Sequence, residues 1–264
     1  KEKLKAVIQR AKRDKEKGKR RKAVRNWSLG VAAALALLIL PNTNADIAHA
    51  MENLPVVGGF FRVVTVRHYE YSDDHNKADV KTPQIVTGED NSADPSKAAR
   101  DVNKSAEEYV NTLVDTFEKD MVTEGHSGLD VSYETITDSD TWFTLRITAV
   151  ETKASGYEFH RYYHIDKTTD SVVSLKDIFA VDADYDTVLT EEIRRQMREQ
   201  MDTEDGVIYW LEDEEFTEGF HGLKEDQNFY FNEEGRLVIV FDEYDVAPGA
   251  MGCPEFVKDN DQPS

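Results

Sequence analysis

Cysteine is nearly absent from this chain of 264 residues: Cys253 stands alone. That excludes a disulfide framework and a zinc ribbon alike. Glycine (14) and proline (7) are too few for a collagen-like or low-complexity architecture. Long apolar runs are also missing. The longest, Trp27–Leu40 (WSLGVAAALALLIL), has 14 residues, short of the roughly 20 that a spanning helix usually takes. No G-x-S-x-G, P-loop, H-E-x-x-H or G-x-G-x-x-G occurs, so no motif points to an enzyme, a cofactor or a resident metal. What is present, 39% hydrophobic and 10% aromatic residues, argues for a folded chain with a substantial core.

The net charge of −20 conceals two opposite parts. Residues 1–26 hold 13 Lys or Arg against three acids, a net of +10, whereas residues 51–264 hold 48 acids against 19 basic side chains, a net of −29. The apolar stretch separates them. It fits a signal-peptide apolar region, and extended to Ala45 it fits a short signal anchor. A basic flank before it places residues 1–26 in the cytoplasm and the rest outside the cell membrane, as a single-pass protein. Ala48 and Ala50 in ADIAHA supply the small −3 and −1 residues of a signal-peptidase site, with cleavage before Met51. An ordinary exported protein with a long basic leader is the plainer reading of the same features. A first residue of Lys rather than Met suggests further N-terminal sequence.

Within the basic part, Leu4, Val7, Ile8 and Ala11 fall at i, i+3, i+4 and i+7, one face of a short helix that orders against a partner. The run KRDKEKGKRRK after it reads as a topology and headgroup signal, not a nucleic-acid site.

The outer part reads as α+β, with antiparallel sheets packed against two main helices. Met51–Val66 (MENLPVVGGFFRVVTV) predicts an amphipathic juxtamembrane turn or helix, followed by a first strand through about Tyr71. Ser72–Asp79 reads as a polar turn, Val80–Val86 as a short strand interrupted by Pro83, and Gly88–Ser96 as a loop. A helix opens at Asp101 or Ser105, with Ala106, Tyr109, Val110, Leu113, Val114 and Phe117 as its core stripe. Val131–Thr137, Trp142–Glu151 and Gly156–Ile165 predict an antiparallel meander with one solvated face. Ser174–Phe179 reads as one helical turn, and Asp184–Asp202 as a helix burying Val188, Leu189, Ile193 and Met197. Phe229–Phe231 and Leu237–Phe241 flank a hairpin turn, NEEG.

Candidate chemistry is thin. His160 and His164 in HRYYH would share one strand face roughly 13 Å apart, too far for one ion, so a half-exposed sheet face is expected. Cys253 has no His at motif spacing and reads as a semi-buried small residue. The acids suggest a strongly basic protein partner, captured quickly and in a salt-dependent way; solubility alone is the plainer explanation.

Several stretches resemble the RsiV-type anti-sigma-V factors, bacterial membrane receptors for lysozyme that restrain an ECF sigma factor. They are the A-x-A site with MENLPVVGGFFRVVTV, then DVKTP, YETITD, ETKASGYEFHRYYHIDKTTDSVVSLKDIF, IYWLEDE and FYFNEEGRLVIVFDEYDVAPGAMG, from about residue 4 to 257. The last stretch is shared with an accessory region of some cell-wall polysaccharide deacetylases. The resemblance implies a sigma-binding segment (1–26), a membrane span (27–45), a cleavage and juxtamembrane segment (46–66) and two extracellular subdomains (67–167 and 168–264) of the DUF4163/DUF3298 type. Leu4, Val7, Ile8 and Ala11 would hold the sigma factor. Lysozyme would contact one loop at Ala154, Ser155, Gly156 and Tyr157, and a second spanning Asp245–Gly252 with Tyr244, Pro248, Gly249, Ala250 and Met251. Signal peptidase would then cut after Ala50 and a site-2-type protease within the membrane. The chain departs from the family pattern at 250, where Ala stands for an aromatic, and at 156, where Gly stands for a polar residue; both retune the implied contact. A tethered lysozyme inhibitor or a cell-wall-binding accessory domain, neither of them signalling, is the alternative.

Overall fold

Two long strands open the described part of the chain, which in the computed structural model comprises residues 61–87, 94–123, 126–213 and 218–258. Leu4, Val7, Ile8, Ala11, the apolar stretch 27–45 and the site at Ala48, Ala50 and Met51 lie outside the described residues. Among the described residues no helix is long and apolar enough to cross a membrane. Strand β1 (Phe61–Ser72) takes in Phe61–Val66 and pairs antiparallel with β2 (Asn76–Thr87). The turn between them is only 73–75, tightened by the Asp73 carboxylate, which accepts from the backbone of His75 and Asn76 at 2.8 and 2.6 Å. Strand β2 therefore starts earlier than the sequence pattern predicts and runs unbroken through Pro83. A bulge at Val66 shifts the register between the pairs Thr65–Pro83 and Arg67–Thr82. Pro83 has the parity of Ile85, whose backbone groups turn away from β1, so its missing donor breaks no β1–β2 bond.

Helix α1 (Lys97–Thr123) begins before the predicted Asp101 or Ser105. Its first turn is capped from two directions: Ser96 Oγ accepts from Ala99 N at 3.2 Å, and the Asp170 carboxylate accepts from Lys97 N and Ala98 N at 3.0 and 3.1 Å. Four spare N–H groups and the positive helix end make this a favourable place for a carboxylate. Ala98, Val102, Ala106, Val110, Leu113 and Phe117 form the buried stripe. As a crossover, α1 makes β2 and β3 (Ser127–Asp138) parallel at Asn76–Val80, a departure from purely antiparallel sheets. Beyond Val80, Asn103 on α1 takes the place of a strand neighbour: its Oδ1 accepts from Ile85 N at 2.7 Å and its Nδ2 donates to Ile85 O at 2.9 Å.

Strands β4 (Trp142–Thr152), β5 (Gly156–Asp166) and β6 (Ser171–Val172) complete a sheet in the order β1-β2-β3-β4-β5-β6. Phe143, Leu145, Ile147, Ala149, Tyr163 and Ile165 point from it toward α1 and make the first core.

The rest of the chain builds a second core against the opposite face. A 3-10 turn (Leu175–Ile178) and α2 (Tyr185–Thr203), N-capped by Asp184, bring in Leu175, Leu189, Ile193 and Met197. Val188 is 45% exposed, a correction to the predicted buried set: the three buried residues repeat every fourth position, and Val188 lies outside that repeat. Strands β7 (Asn228–Phe231), β8 (Leu237–Val240) and β9 (Glu255–Val257) form a small antiparallel sheet. Asn232 closes the NEEG turn by accepting from Glu234 N and Arg236 N, both at 3.0 Å.

This second sheet covers the face of β5 that the sequence pattern leaves to solvent. His164 is 2% exposed and its ring centre lies 3.9 Å from that of Phe229; Tyr162 stacks on Tyr230 at 5.8 Å. His160, 8% exposed, is buried too. Both histidines thus lie in an interior, not on a half-exposed face.

Candidate recognition rim

The edge of β5 is where the two parts of the chain lock together. On one side β5 pairs with β4 along its length, but on the other β6 reaches only Ile165 and Asp166. The uncovered edge groups are met by side chains from the C-terminal part. Glu158 N donates to Glu243 Oε2 (2.8 Å), His160 N to Asp242 Oδ1 (2.8 Å) and Tyr162 N to Asn228 Oδ1 (3.3 Å). In return Glu158 O accepts from Glu243 N (3.1 Å), and His160 O from Asn228 Nδ2 (2.8 Å). Three acceptors spaced along the strand imitate a neighbouring strand and satisfy groups that would otherwise remain open to foreign pairing.

This lock sets the two predicted contact loops side by side. Ala154 and Ser155 lie in the exposed β4–β5 turn, and Gly156, also exposed, opens β5. Tyr157 leads from it, stacked on Phe159 at 5.0 Å, with the Tyr244 ring 6.1 Å away. Tyr244 is 45% exposed and has φ +66°, a left-handed conformation costly for a non-glycine residue. The loop is rooted by Val246 and Ala247, 3% and 1% exposed, and by Val246 O, which accepts from Trp210 N at 2.8 Å. Pro248 then leads into a 3-10 turn, Gly249–Met251. A Cβ on Gly249 would collide with the Tyr244 phenol and come 2.6 Å from Glu243 Oε1, so a larger residue there requires these two side-chain ends to move. Ala250 is exposed at the turn, and a Cβ on Gly156 would meet nothing within 4 Å. Both positions therefore have room for larger side chains.

The rim is acidic and part of that charge is strained by burial. The Asp242 carboxyl is pushed up to about 6 by burial, with Asp245 and Asp226 adding to the rise and the His160 N–H and Lys224 opposing it. Burial, then Asp242 and Asp245, push Tyr157 up to about 12. Lys224 Nζ holds Asp245 at 2.7 Å. Sequence reasoning passed over Glu158, Asp242, Glu243 and Asn228. Their pairing joins positions more than 60 residues apart and carries no spacing signal.

Along 255 residues the chain is 34% identical to the Anti-sigma-V factor RsiV of Bacillus subtilis (strain 168), covering 96% of this chain and 87% of that protein. The chain belongs to the RsiV family of anti-sigma factors. Residues 176–257 also match a family described as Protein of unknown function (DUF3298). Two crystal structures of DUF3298 family proteins share the fold. One, from Pseudomonas aeruginosa PAO1, has a TM-score of 0.52 at 12% identity; the other, from Bacteroides fragilis NCTC 9343, has 0.50 at 14%. Each match covers 76% of this chain and 91% of the other. The anti-sigma relative supports a regulatory role.

Proposed function

We propose that this anti-sigma factor is a single-pass membrane receptor for lysozyme that holds an ECF sigma factor through Leu4, Val7, Ile8 and Ala11 in a cytoplasmic segment (1–26). In this reading residues 27–45 cross the membrane. Residues 67–167 and 168–264 form the two extracellular subdomains. Lysozyme docks on the rim made by Ala154, Ser155, Gly156 and Tyr157 with Tyr244, Pro248, Gly249, Ala250 and Met251. Binding favours a form in which the Ala48–Ala50 site is accessible. Signal peptidase cuts before Met51, a site-2-type protease cuts within the span, and the sigma factor leaves. The ligand contributes to this only through its preference for one state over the other.

One observation carries the reading most directly: the two loops, some 90 residues apart, share one acidic rim held by the β5 edge lock, with an aromatic pair at its centre. Aromatic anchors with satisfied polar surroundings suit a protein interface, and a net of −29 over residues 51–264 suits a strongly basic ligand. Calorimetric titration of the full chain in lipid nanodiscs with lysozyme, at low and at moderate salt, tests it. Tight binding that weakens with salt is the expected result. Absence of binding in both buffers removes lysozyme as the signal.

A further inference from the structure

Three side chains that the rim reading leaves unused meet beneath it. Glu158 and His160 are two apart on β5 and so project from one face, while Cys253 follows the 3-10 turn of the second loop. A carboxylate oxygen, an imidazole nitrogen and the thiol sulfur all lie within 4.8 Å of one another. The imidazole is the telling member. It is 8% exposed, its Nδ1 is buried with no hydrogen-bond partner, and its Nε2 stands 3.5 Å from Glu158 Oε1, too far for a good hydrogen bond. A buried ring with neither nitrogen well used is unusual for a purely structural histidine.

We propose that Glu158, His160 and Cys253 hold one divalent metal ion of the zinc class, with the fourth position left to water. The donor set of carboxylate, imidazole and thiolate is the borderline-soft mixture that zinc favours. Tetrahedral bonds of about 2.0–2.3 Å put neighbouring donor atoms roughly 3.3–3.6 Å apart, and the His160–Glu158 separation already has that length. Cys253 and Glu158 are not buried, which leaves their side chains room to move toward a bound ion.

Protonation helps at His160 and opposes binding at Cys253. Burial, then Arg146, push His160 down to about 4, which keeps a lone pair free at neutral pH. Burial, then Glu158, push the Cys253 thiol up to about 12, with Asp242 and Glu243 adding to the rise. The Cys253 thiol donates weakly to Glu158 O at 3.4 Å; as the metal–sulfur bond forms, this S–H bond breaks and its proton passes to water, so affinity rises with pH. The same carboxylates supply a field that attracts a cation. The bound ion ties β5 to the end of the 242–252 loop and stiffens the rim from below. A second cluster, His68, Glu70 and Asp79, has similar spacing, but His68 Nε2 is already taken by Asp79 at 2.8 Å.

The test needs no lysozyme and stands apart from the receptor reading. The full chain in detergent, stripped by a chelator, is titrated with cobalt and then with zinc. One equivalent of cobalt is expected to give a thiolate-to-cobalt charge-transfer band that zinc abolishes. Cys253→Ser should lose the band, with zinc affinity falling roughly a hundredfold. Glu158→Gln, a change at an exposed position, should weaken zinc at least about tenfold with an unaltered circular dichroism spectrum. His68→Gln should match the unmodified chain. No band in the unmodified chain, or zinc affinity unchanged in both Cys253→Ser and Glu158→Gln, overturns the site.

Discussion

Replacing Asp242 by Asn tests the β5 edge lock and its cost together. Asp242 accepts from His160 N at 2.8 Å, yet its carboxyl is pushed from 3.8 up to about 6 because burial disfavours the charge. A carboxyl whose folded pKa lies above its unfolded value favours folding when protonated. The folded chain therefore loses stability as pH rises from below 3.8 through about 6, by 1.36 kcal/mol for each unit of difference. The two values differ by some two units, which gives about 3 kcal/mol at full ionisation. Asn retains an oxygen to accept from His160 N but carries no charge. The Asn variant is thus expected to exceed the original in stability by up to about 3 kcal/mol at pH 7 and to approach it near pH 4. His160 titrates in the overlapping window with the opposite sign, held neutral by burial with its value near 4. The informative quantity is accordingly the difference between the two chains, in which the His160 contribution cancels. Urea unfolding of residues 61–258 at intervals across this range measures it. A difference that stays constant with pH, or that favours Asp at pH 7, refutes the reasoning.

Further consequences are open to measurement. Asn103→Ala leaves both backbone groups of buried Ile85 unpaired and should cost about 1–3 kcal/mol for each in urea unfolding; an unchanged midpoint means that water fills the gap. Tyr157→Ala removes the ring between Phe159 and Tyr244, lowering lysozyme affinity roughly tenfold for about 1 kcal/mol of stability, as calorimetry and thermal melting would read. Ala50→Trp should stop cleavage before Met51 without altering lysozyme affinity, since the signal-peptidase cleft admits only small residues there; a product still ending at residue 50 refutes that assignment.

What sequence periodicity reveals here is whatever one element settles alone. The α1 stripe, the β4 and β5 strands and the NEEG turn depend on spacing and turn chemistry within a few residues, and the fold contains them. The start of α1 was illegible because half its cap is Asp170, 73 residues downstream. The length of β2 was illegible because Pro83 reads as a strand breaker, whereas its missing donor lies on the side of β2 away from β1. His160 and His164 alternate with polar neighbours like an exposed face, and only the arrival of Phe229, Val238 and Val240 buries it. The contact loops came from family resemblance, not spacing. Their adjacency rests on Glu158, Asp242 and Glu243, which among so many acids look unremarkable.

Capping β5 from afar has a consequence for how the chain matures. A polypeptide is made from its N-terminus, so β1 through β6 are complete before Asn228, Asp242 and Glu243 exist. Until then β5 offers unpaired donors at 158, 160 and 162 beside the rings of Tyr162 and His164. Such an edge next to an apolar face invites pairing with another nascent copy. Chains ending before residue 228 should therefore aggregate even though their first core is whole, and any factor that shields newly made chain has its task over roughly the next 80 residues.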